Sequence, residues 1–517
     1  MPHSPSKLKQ KRFWPLFSQE ILNQKQLIFF SVFTGILCFG FAITHFSIGI
    51  DDPARNYYLY SHSLASMIQQ GRLMHVAFNF LTHSVQFIPF FTDFVGAVLY
   101  VVSALLFCGV FQYITDSRLS PSALIAFSCV YISSSILAEK FIYQLDVIVT
   151  MLSYCCAALA MLYAYQAVKE KRLGAYWKAT VLLMMTVSSY ESFTSLYICS
   201  VFSVFLLEGL VNQEKLTLRK LLNEGLRYAG ILFAALILYY GLVYLLQAAT
   251  GQLDIFQRMQ ISWPEGLGTI EVFKLITKRI YVFFQESIAV RYLPILMFCF
   301  FSLMGAGLCA WSSIRGKNFW LLCCFLGLFA SNFITHYGAG YFLSRAAQTF
   351  CFFCGFVMLL LISLFHPPIC KKLLCAVAAL LVFVQSADMN RWFYNDYVRY
   401  QKESYAIHTL ASKLLATCDT DKPVVFTNAP YSGYLDTELY PGRQVNGNSL
   451  LYWCGYAFQN KEQPFVAEVF RMYGYDFIQS PTGEQFDAAC LEAETMPPWP
   501  KDGSVQEFDD FIVVNFS

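Results

Sequence analysis

Long apolar runs separated by short polar gaps occupy most of the first 388 residues. A helix that crosses a lipid bilayer needs about 20 apolar residues. Between residues 178 and 211 the chain holds either two short helices that meet near Ser188 and Ser189 or one long tilted helix. We predict two helices there, and therefore eleven spans, at residues 27–49, 93–114, 121–138, 147–167, 178–189, 193–211, 228–249, 291–311, 318–336, 346–365 and 372–388.

The distribution of Lys and Arg supports the two-helix interpretation. Cytoplasmic loops of membrane proteins are rich in these residues. With a cytoplasmic N-terminus and eleven spans, five basic clusters fall on the cytoplasmic side, and the segment after residue 388 falls outside. A single helix at 178–211 would invert every later orientation. The clusters are Lys7, Lys9, Lys11 and Arg12; Lys169, Lys171, Arg172 and Lys178; Lys215, Arg219, Lys220 and Arg227; Arg315 and Lys317; and Lys371 and Lys372.

Composition places the chain among membrane proteins. Of its 517 residues 56% are hydrophobic and 14% are charged, whereas soluble domains have about 25% charged residues. The formal net charge is only +2, and the positive residues lie in short clusters, so we set nucleic-acid binding aside. The chain has no P-loop and no glycine-rich dinucleotide motif after a strand, so nucleotide binding lacks support.

The pattern predicts three parts: a cytoplasmic N-terminus at 1–26, a transmembrane domain at 27–388 and a soluble outer domain at 389–517. In the last part, a helix from Glu403 to Thr417 precedes strand-like runs at 423–427 and 511–516. We therefore expect a mainly α polytopic protein with a small extracytoplasmic α/β or α+β domain.

Two outer segments of the transmembrane domain are too long to be turns. Residues 51–91 and 252–285 are semi-polar and rich in aromatic residues, which is typical of helices that lie along the membrane surface. In the second segment, Phe273, Ile276 and Ile280 share one helical face, and the lysines at 274 and 278 share another.

The clearest candidate for chemistry is the pair Asp51 and Asp52, directly after the first span. One interpretation is structural, because an Asp before Pro53 is a favoured helix cap. The other is catalytic: one Asp accepts the proton of an acceptor hydroxyl while its neighbour orients it or holds a metal. Both roles are compatible, and the choice of base stays open.

A second acidic group belongs to the same outer surface. Glu139, Tyr143 and Asp146 have the spacing i, i+4 and i+7, so a continuous helix would show them on one face. They could simply mark the polar end of a helical hairpin, but carboxylates at the membrane are functional candidates by default. Glu191, after Tyr190, would lie on the same side if two helices form.

Basic residues on the predicted outer side could bind a phosphate leaving group. Any single one of them could instead be an interfacial anchor, so the argument depends on the group. The outer histidines, His75 among them, have no ligand spacing and are expected to be interfacial. The candidate phosphate-binding residues are Arg55, Arg72, Lys278, Arg279 and Arg345.

Several features, in this order and spacing, resemble the bacterial glucosyltransferase type II family, the serotype-converting enzymes that decorate O-antigen. The resemblance covers most of the chain, and it depends on the order of the features rather than on any one of them. The features are the first span ending in Ile50-Asp51-Asp52, the break at Gly71-Arg72, the segment from Glu139 to Asp146, the segment from Ser189 to Ser192, and the tail from Trp392 to Tyr400.

This resemblance implies a GT-C type fold, undecaprenyl-phosphate-glucose as donor and lipopolysaccharide O-antigen as acceptor. It also implies that Asp51 and Asp52 carry catalysis. The family usually has an amide after the tyrosine, where this chain has Glu191, and this difference leaves the role of Glu191 and the exact sugar open. The implied active-site lining is Glu139, Tyr143, Asp146, Tyr190 and Glu191.

We therefore predict a glycosyltransferase that moves a hexose, expected to be glucose, at the periplasmic side of a bacterial inner membrane. Nucleotide sugars are made in the cytoplasm, so acids on the outer side indicate a polyprenyl-phosphate-linked donor. The sequence requires no cofactor and leaves a divalent metal open. Two alternatives remain: a transporter or flippase of a lipid-linked saccharide, disfavoured because no internal repeat is seen, and a GT-C enzyme with another acceptor such as lipid A or a wall polymer.

Overall fold

A computed structural model describes residues 12–48, 67–82, 90–251, 266–339, 346–365, 367–427 and 464–516. Four of the predicted site residues, Asp51, Asp52, Arg55 and Arg345, lie outside the described residues.

The described chain is mainly helical. Its α-helices are α1 (Phe13–Phe17), α2 (Lys25–Thr44), α3 (Leu73–Thr82), α4 (Phe91–Ile114), α5 (Pro121–Ile132), α6 (Ala138–Ile142), α7 (Gln144–Lys169), α8 (Leu173–Ser189), α9 (Phe193–Leu206), α10 (Leu218–Thr250), α11 (Thr269–Ala289), α12 (Leu293–Arg315), α13 (Trp320–Ser331), α14 (Ile334–Ala339), α15 (Thr349–Leu364), α16 (Pro368–Thr417), α17 (Pro464–Met472) and α18 (Gly483–Ala493).

Each of the eleven predicted spans coincides with a helix. Within the described residues, eight helices are long and apolar enough to cross a membrane, which makes this a multi-pass membrane protein. Two of the eight are longer than the α-helix within them: Pro121–Ile142 contains α5 and α6, and Phe193–Val211 extends α9. The helices at the other three predicted spans, α8, α13 and α15, are not among the eight and have 17, 12 and 16 residues. The stretch at 178–211 forms two helices that meet at Tyr190 to Ser192, so the two-helix prediction is confirmed.

The centre of the bundle is formed by α4, α5, α7 and α15, where aromatic side chains meet. Buried hydroxyls there are bonded to backbone groups: Tyr100 donates to the carbonyl of Tyr131 at 2.8 Å, and Tyr154 donates to that of Gln348 at 3.1 Å. Such pairing is needed because lipid offers a polar group no partner. At the periphery, α10 exposes large apolar side chains such as Phe233.

The predicted surface helix at 252–285 corresponds in its described part to α11. Ile276 is buried and Ile280 is half-buried, whereas Phe273 is exposed and stacks on Tyr337 of α14. Thr277 is also bonded to the Tyr337 hydroxyl at 2.9 Å. The helix therefore packs on the bundle along one side and leaves a neighbouring apolar side and a charged side uncovered.

One helix, α16, runs without interruption over 50 residues from Pro368 to Thr417. Separate helices at 372–388 and from Glu403 were predicted, and this prediction is wrong. No Gly or Pro occurs between Ile369 and Thr417 to end the helix. At 1.5 Å per residue it is about 75 Å long, more than twice the roughly 30 Å of a bilayer core. It therefore projects well beyond the bundle, and the domain boundary predicted at 388/389 falls inside it.

The C-terminal region contains a three-stranded sheet with the strand order β1-β3-β2. β1 (Val424–Thr427) pairs in parallel with β3 (Ile512–Asn515), and β2 (Val505–Glu507) pairs antiparallel to β3. Side chains alternate between two faces. One face packs on the end of α16, including Ile407 and Leu410, and the other packs on α18. The two strands predicted from the sequence are confirmed, and the short strand β2 was not predicted.

The topology predicts where the C-terminus lies. The eleven crossings and the cytoplasmic N-terminus predicted from the sequence would put residues after α16 outside, because each crossing changes the side. A reporter that is active only in the periplasm, fused after Ser517, should therefore be active. Activity of a cytoplasm-specific reporter at the same site would show that the number of crossings is even.

Candidate active site

Arg72 is presented by a tight turn just before α3. Gly71 has a φ of 69°, and its N–H donates to the carbonyl of Ile68 at 3.0 Å. The N–H of Arg72 donates to the carbonyl of Met67 at 2.9 Å. These two bonds form a Schellman motif, which favours glycine because glycine adopts the left-handed conformation without strain. Gln247 of α10 donates to the Ile68 carbonyl at 3.3 Å and ties the turn to the bundle.

Asp146 binds two basic side chains from this turn and from α3. Its Oδ2 accepts a hydrogen bond from Arg72 Nη1 at 3.0 Å, and its Oδ1 lies 3.1 Å from His75 Nε2. Arg72 and His75 are three residues apart, so they reach the same carboxylate from one side of the turn. The side chains are 21%, 2% and 12% exposed for Arg72, His75 and Asp146. Charge-assisted bonds in such a setting are strong, so this carboxylate has a fixed position.

The segment from Glu139 to Asp146 is not one helix. α6 ends at Ile142, Tyr143 has a non-helical ψ of 83°, and α7 starts at Gln144. The predicted common face of Glu139, Tyr143 and Asp146 therefore does not form. A local reason is the side chain of Gln144, which donates to the carbonyl of Phe141 at 3.5 Å, where a continuous helix would place a backbone N–H. Tyr143 is buried at the break, and Glu139 is half-buried beside Lys140.

The ring of Tyr190 connects this segment to the Arg72–Asp146 pair. Tyr190 ends α8 in an extended conformation. The buried Lys140 ammonium lies 3.7 Å from the centre of the ring, and the Arg72 guanidinium lies 5.8 Å from it. Both distances are within the range of a cation–π contact. Two cations and an aromatic ring thus lie together, an arrangement suited to binding an anionic group that is attached to a sugar.

Glu191 lies next to Tyr190 and faces α10 instead. The hydroxyls of Tyr239 and Tyr240 lie 3.4 Å and 3.5 Å from its Oε1. Burial raises the pKa of Glu191, and the two tyrosine bonds oppose that shift only in part. Glu191 is therefore an acid that the fold holds closer to its neutral form than an exposed glutamate.

Asp93 is a buried acid that the sequence prediction missed. It lies in the first turn of α4, is 1% exposed, and its Oδ2 accepts a bond from Gln144 at 2.9 Å. A single carboxylate at the start of an apolar run is a sequence feature that could have identified Asp93 as a candidate. His75 and Lys140 were also outside the predicted set, although His75 stands three residues after Arg72 on a short helix.

The remaining described candidates lie on another element. Lys278 and Arg279 are exposed on α11, the helix that contacts Tyr337. The structure thus brings Arg72, Asp146 and Tyr190 together, and Lys278 and Arg279 belong to the exposed side of α11. Among the residues that the structure describes, no group of three or more His, Cys, Asp or Glu side chains is arranged to hold a metal ion.

The site lies at a defined end of the bundle. Asp146 and Lys169 begin and end α7, so they are separated by about 35 Å of helix, roughly the thickness of a bilayer core. At the Lys169 end, its ammonium binds Glu208 at 2.7 Å, and Lys220 binds the same glutamate at 2.9 Å. The cluster around Asp146 is therefore at the end opposite to these lysines.

Comparison with protein families identifies the family of this chain. The family model described as Glucosyl transferase GtrII matches residues 40–394, which is more than two thirds of the chain. The chain belongs to this family, and membership implies glycosyltransferase activity. A search of curated proteins found no match.

The raised pKa of Glu191 predicts a pH-dependent stability. The folded protein binds a proton at Glu191 more tightly than the unfolded chain does. The contribution of Glu191 to the free energy of unfolding is therefore full below about pH 4.5 and declines as the pH rises toward the pKa of Glu191 in the folded protein. Glu191→Gln keeps an acceptor for the two tyrosines. We predict that, as the pH rises, the midpoint of thermal unfolding falls less in this variant than in wild type. The exposed Glu492→Gln is the control. Identical pH profiles for wild type and Glu191→Gln would contradict the prediction.

Proposed function

We propose that this member of the Glucosyl transferase GtrII family transfers glucose from undecaprenyl phosphate to lipopolysaccharide O-antigen at the periplasmic face of the inner membrane, using a GT-C type fold. The observation that carries the proposal is the cluster of Arg72, His75, Lys140, Asp146 and Tyr190 at the bundle end opposite to Lys169. Cytoplasmic ends of membrane helices are enriched in lysine and arginine, which supports an outer position for the cluster.

An outer site favours a lipid-linked donor. Sugar nucleotides are made in the cytoplasm and do not reach the periplasm, whereas a polyprenyl phosphate carries its sugar at the membrane surface. The donor then leaves as a lipid phosphate, which needs cationic partners near the surface. Arg72 supplies a planar guanidinium that can bind phosphate oxygens in pairs, and Lys140 adds a second positive charge behind the Tyr190 ring.

The surface helix α11 is suited to contact the lipid part of the donor. Ile270 and Tyr281 are exposed apolar residues of this helix, and Lys278 and Arg279 are exposed basic ones. A helix with this distribution lies in the interface, with its apolar side in the acyl region and its basic side at the level of the phosphates. Arg55 and Arg345, which lie outside the described residues, complete the phosphate-binding group in this proposal.

Asp51 and Asp52 are the catalytic residues in this proposal. One of them accepts the proton of the acceptor hydroxyl, whose oxygen then bonds to the anomeric carbon of the donor. The bond from that carbon to the phosphate oxygen breaks, the electron pair leaves with the phosphate, and the configuration inverts. The cations stabilise the negative charge that remains on the phosphate.

Asp146 has a different role from that pair. Both of its oxygens are engaged, one by Arg72 and the other near His75 Nε2. A carboxylate held in this way is a poor candidate for a base and a good support for a cation. Asp146 therefore lines the site and orients Arg72, and Tyr143, Tyr190 and Glu191 complete the lining together with Glu139.

We predict that Asp51→Asn and Asp52→Asn leave the protein inserted and abundant, and that at least one of them abolishes sugar transfer. Asn keeps the size and the capping oxygen but cannot accept a proton at neutral pH. Loss of a general base reduces rates by about 10²–10⁴-fold. The assay is the transfer rate per amount of purified protein, with the exposed Asp502→Asn as matched control.

Near wild-type transfer by both variants would contradict the catalytic assignment. Glu139 would then be the next candidate, because Asp146 is already paired. Metal dependence is measured in the same assay by adding a chelator and then restoring a divalent cation.

A further inference from the structure

Gln247 is a buried amide near the end of α10. It is 1% exposed, and its neighbours in the sequence, Leu245, Leu246, Ala248 and Ala249, are apolar. Burying an amide in such a setting costs free energy unless protein hydrogen bonds replace those of water. The partners of Gln247 therefore indicate why an amide occupies this position.

The side chain of Gln247 binds two main-chain carbonyls through its Nε2. It donates to the carbonyl of Ile68 at 3.3 Å and to that of Gln69 at 3.3 Å. An amide group carries two N–H donors, so one is available for each carbonyl. The two bonds join the end of α10 to a segment that lies 179 and 178 residues earlier in the chain.

The two carbonyls belong to the helical turn that ends just before Arg72. Residues 67–69 are helical, and the last carbonyls of a helix have no partner within it. The N–H groups of Arg72 and Gly71 satisfy the first two of these carbonyls, at 2.9 Å and 3.0 Å. The third carbonyl, that of Gln69, receives its bond from Gln247. Gln247 thus completes the capping of the segment from which Arg72 emerges.

The same face of α10 holds a second turn of the candidate site. Tyr239 and Gln247 are buried, as is the residue midway between them, so these positions form one face of the helix. The hydroxyl of Tyr239 lies 3.4 Å from Oε1 of Glu191. Glu191 follows Tyr190, whose ring centre lies 5.8 Å from the Arg72 guanidinium. The helix α10 therefore contacts both of the turns that bring Arg72 and Tyr190 together.

The position of the Arg72 backbone matters for what its side chain can bind. Asp146 accepts a bond from Nη1, and a guanidinium has five N–H donors, so this bond leaves donors for a phosphate. The side chain is 21% exposed. Paired bonds to phosphate oxygens require that the plane of the guanidinium faces them, and that direction depends on the turn as well as on Asp146. A displacement of about 1 Å in such a group can cost 10²-fold in rate.

We infer that Gln247 is a positioning residue for donor binding: by binding the carbonyls of Ile68 and Gln69, it holds the turn that presents Arg72 to the phosphate of the lipid-linked donor. This inference rests on the proposed function, in which Arg72 binds that phosphate. Gln247 acts through Arg72 and does not itself contact the donor.

The test replaces the amide with an apolar group of similar size. Gln247→Met keeps an unbranched side chain that adapts to the available space, and it removes both N–H donors. The matched control is Gln166→Met. Gln166 is a buried amide of α7, is 5% exposed and donates to the Tyr113 hydroxyl at 3.2 Å. It lies three residues before Lys169, at the opposite end of the bundle.

Both full-length variants are purified, and kcat and KM for a polyprenyl-phosphate-glucose donor and for the acceptor are measured per folded molecule. We expect Gln247→Met to lower kcat/KM for the donor at least fivefold and to change the acceptor KM by less than twofold. The control should keep both values within twofold of wild type. A folded Gln247→Met protein with wild-type kcat/KM for the donor would overturn the inference.

A double-mutant cycle measures whether the effect passes through Arg72, because residues that act together give non-additive effects. Arg72→Lys places a compact ammonium on a flexible stem, which depends less on the direction of its backbone than the planar guanidinium does. In this background, Gln247→Met should change kcat/KM for the donor by less than twofold. A purely structural role of Gln247 would give the same loss in both backgrounds, and that result would overturn the inference.

If Gln247→Met does not fold, Gln247→Asn decides the question. Asparagine keeps the amide but is one methylene shorter, so it cannot reach the carbonyls that Gln247 meets at 3.3 Å. A folded Gln247→Asn protein with a fivefold loss in kcat/KM for the donor would support the inference, and a wild-type value would overturn it.

The single variant Arg72→Lys separates this inference from the proposed function. A wild-type kcat/KM for the donor in Arg72→Lys would refute the paired phosphate binding by Arg72 and the inference with it. A reduced value in Arg72→Lys together with a wild-type value in Gln247→Met would refute the inference alone and leave the proposed function standing.

Discussion

Lipid offers no hydrogen-bond partner to a backbone or a charge, and this constraint decides most of the structure. It forces the apolar runs into helices, since only a helix satisfies its own N–H and C=O groups within one segment. It also confines charged side chains to the bundle ends or to closed pairs. Asp146 with Arg72, and Glu208 with Lys169, show the same solution at opposite ends of α7. The candidate cluster around Asp146 lies at the end of the helices, where this constraint no longer applies.

The same constraint explains how far the sequence alone could predict the fold. Each predicted span coincides with a helix, because span length and apolarity are local properties. The length of α16 was missed because a change of composition near residue 388 suggested a boundary, whereas a helix ends where the backbone is interrupted, and no Gly or Pro interrupts it. The break at Tyr143 was missed because it depends on Gln144, whose side chain bonds to Asp93 on another helix.

The sequence could predict several residues of the candidate site, but it could not predict which side chains contact them. Arg72, Asp146 and Tyr190 stood out as polar residues next to apolar runs, and the structure brings them together. The spacing of His75 from Arg72 could have indicated a shared partner, whereas Lys140 joins them through a tertiary contact with Tyr190 that spacing does not encode. Arg399 of α16 is similar: its carboxylate partners, Asp396 and Glu403, lie at helical spacings that a sequence shows, but its bond to Ile48 spans 351 residues. This long-range bond links α16 to the residue at the exit of the first span.

Transfer of glucose from a lipid carrier at the outer face, as proposed above, can be measured with the purified protein in lipid vesicles. Polyprenyl-phosphate-glucose or a nucleotide-linked glucose is supplied together with an O-antigen acceptor, and glucose incorporation is measured. We expect incorporation from the lipid-linked donor and none from the nucleotide sugar. Efficient incorporation from the nucleotide sugar, with none from the lipid-linked donor, would contradict it.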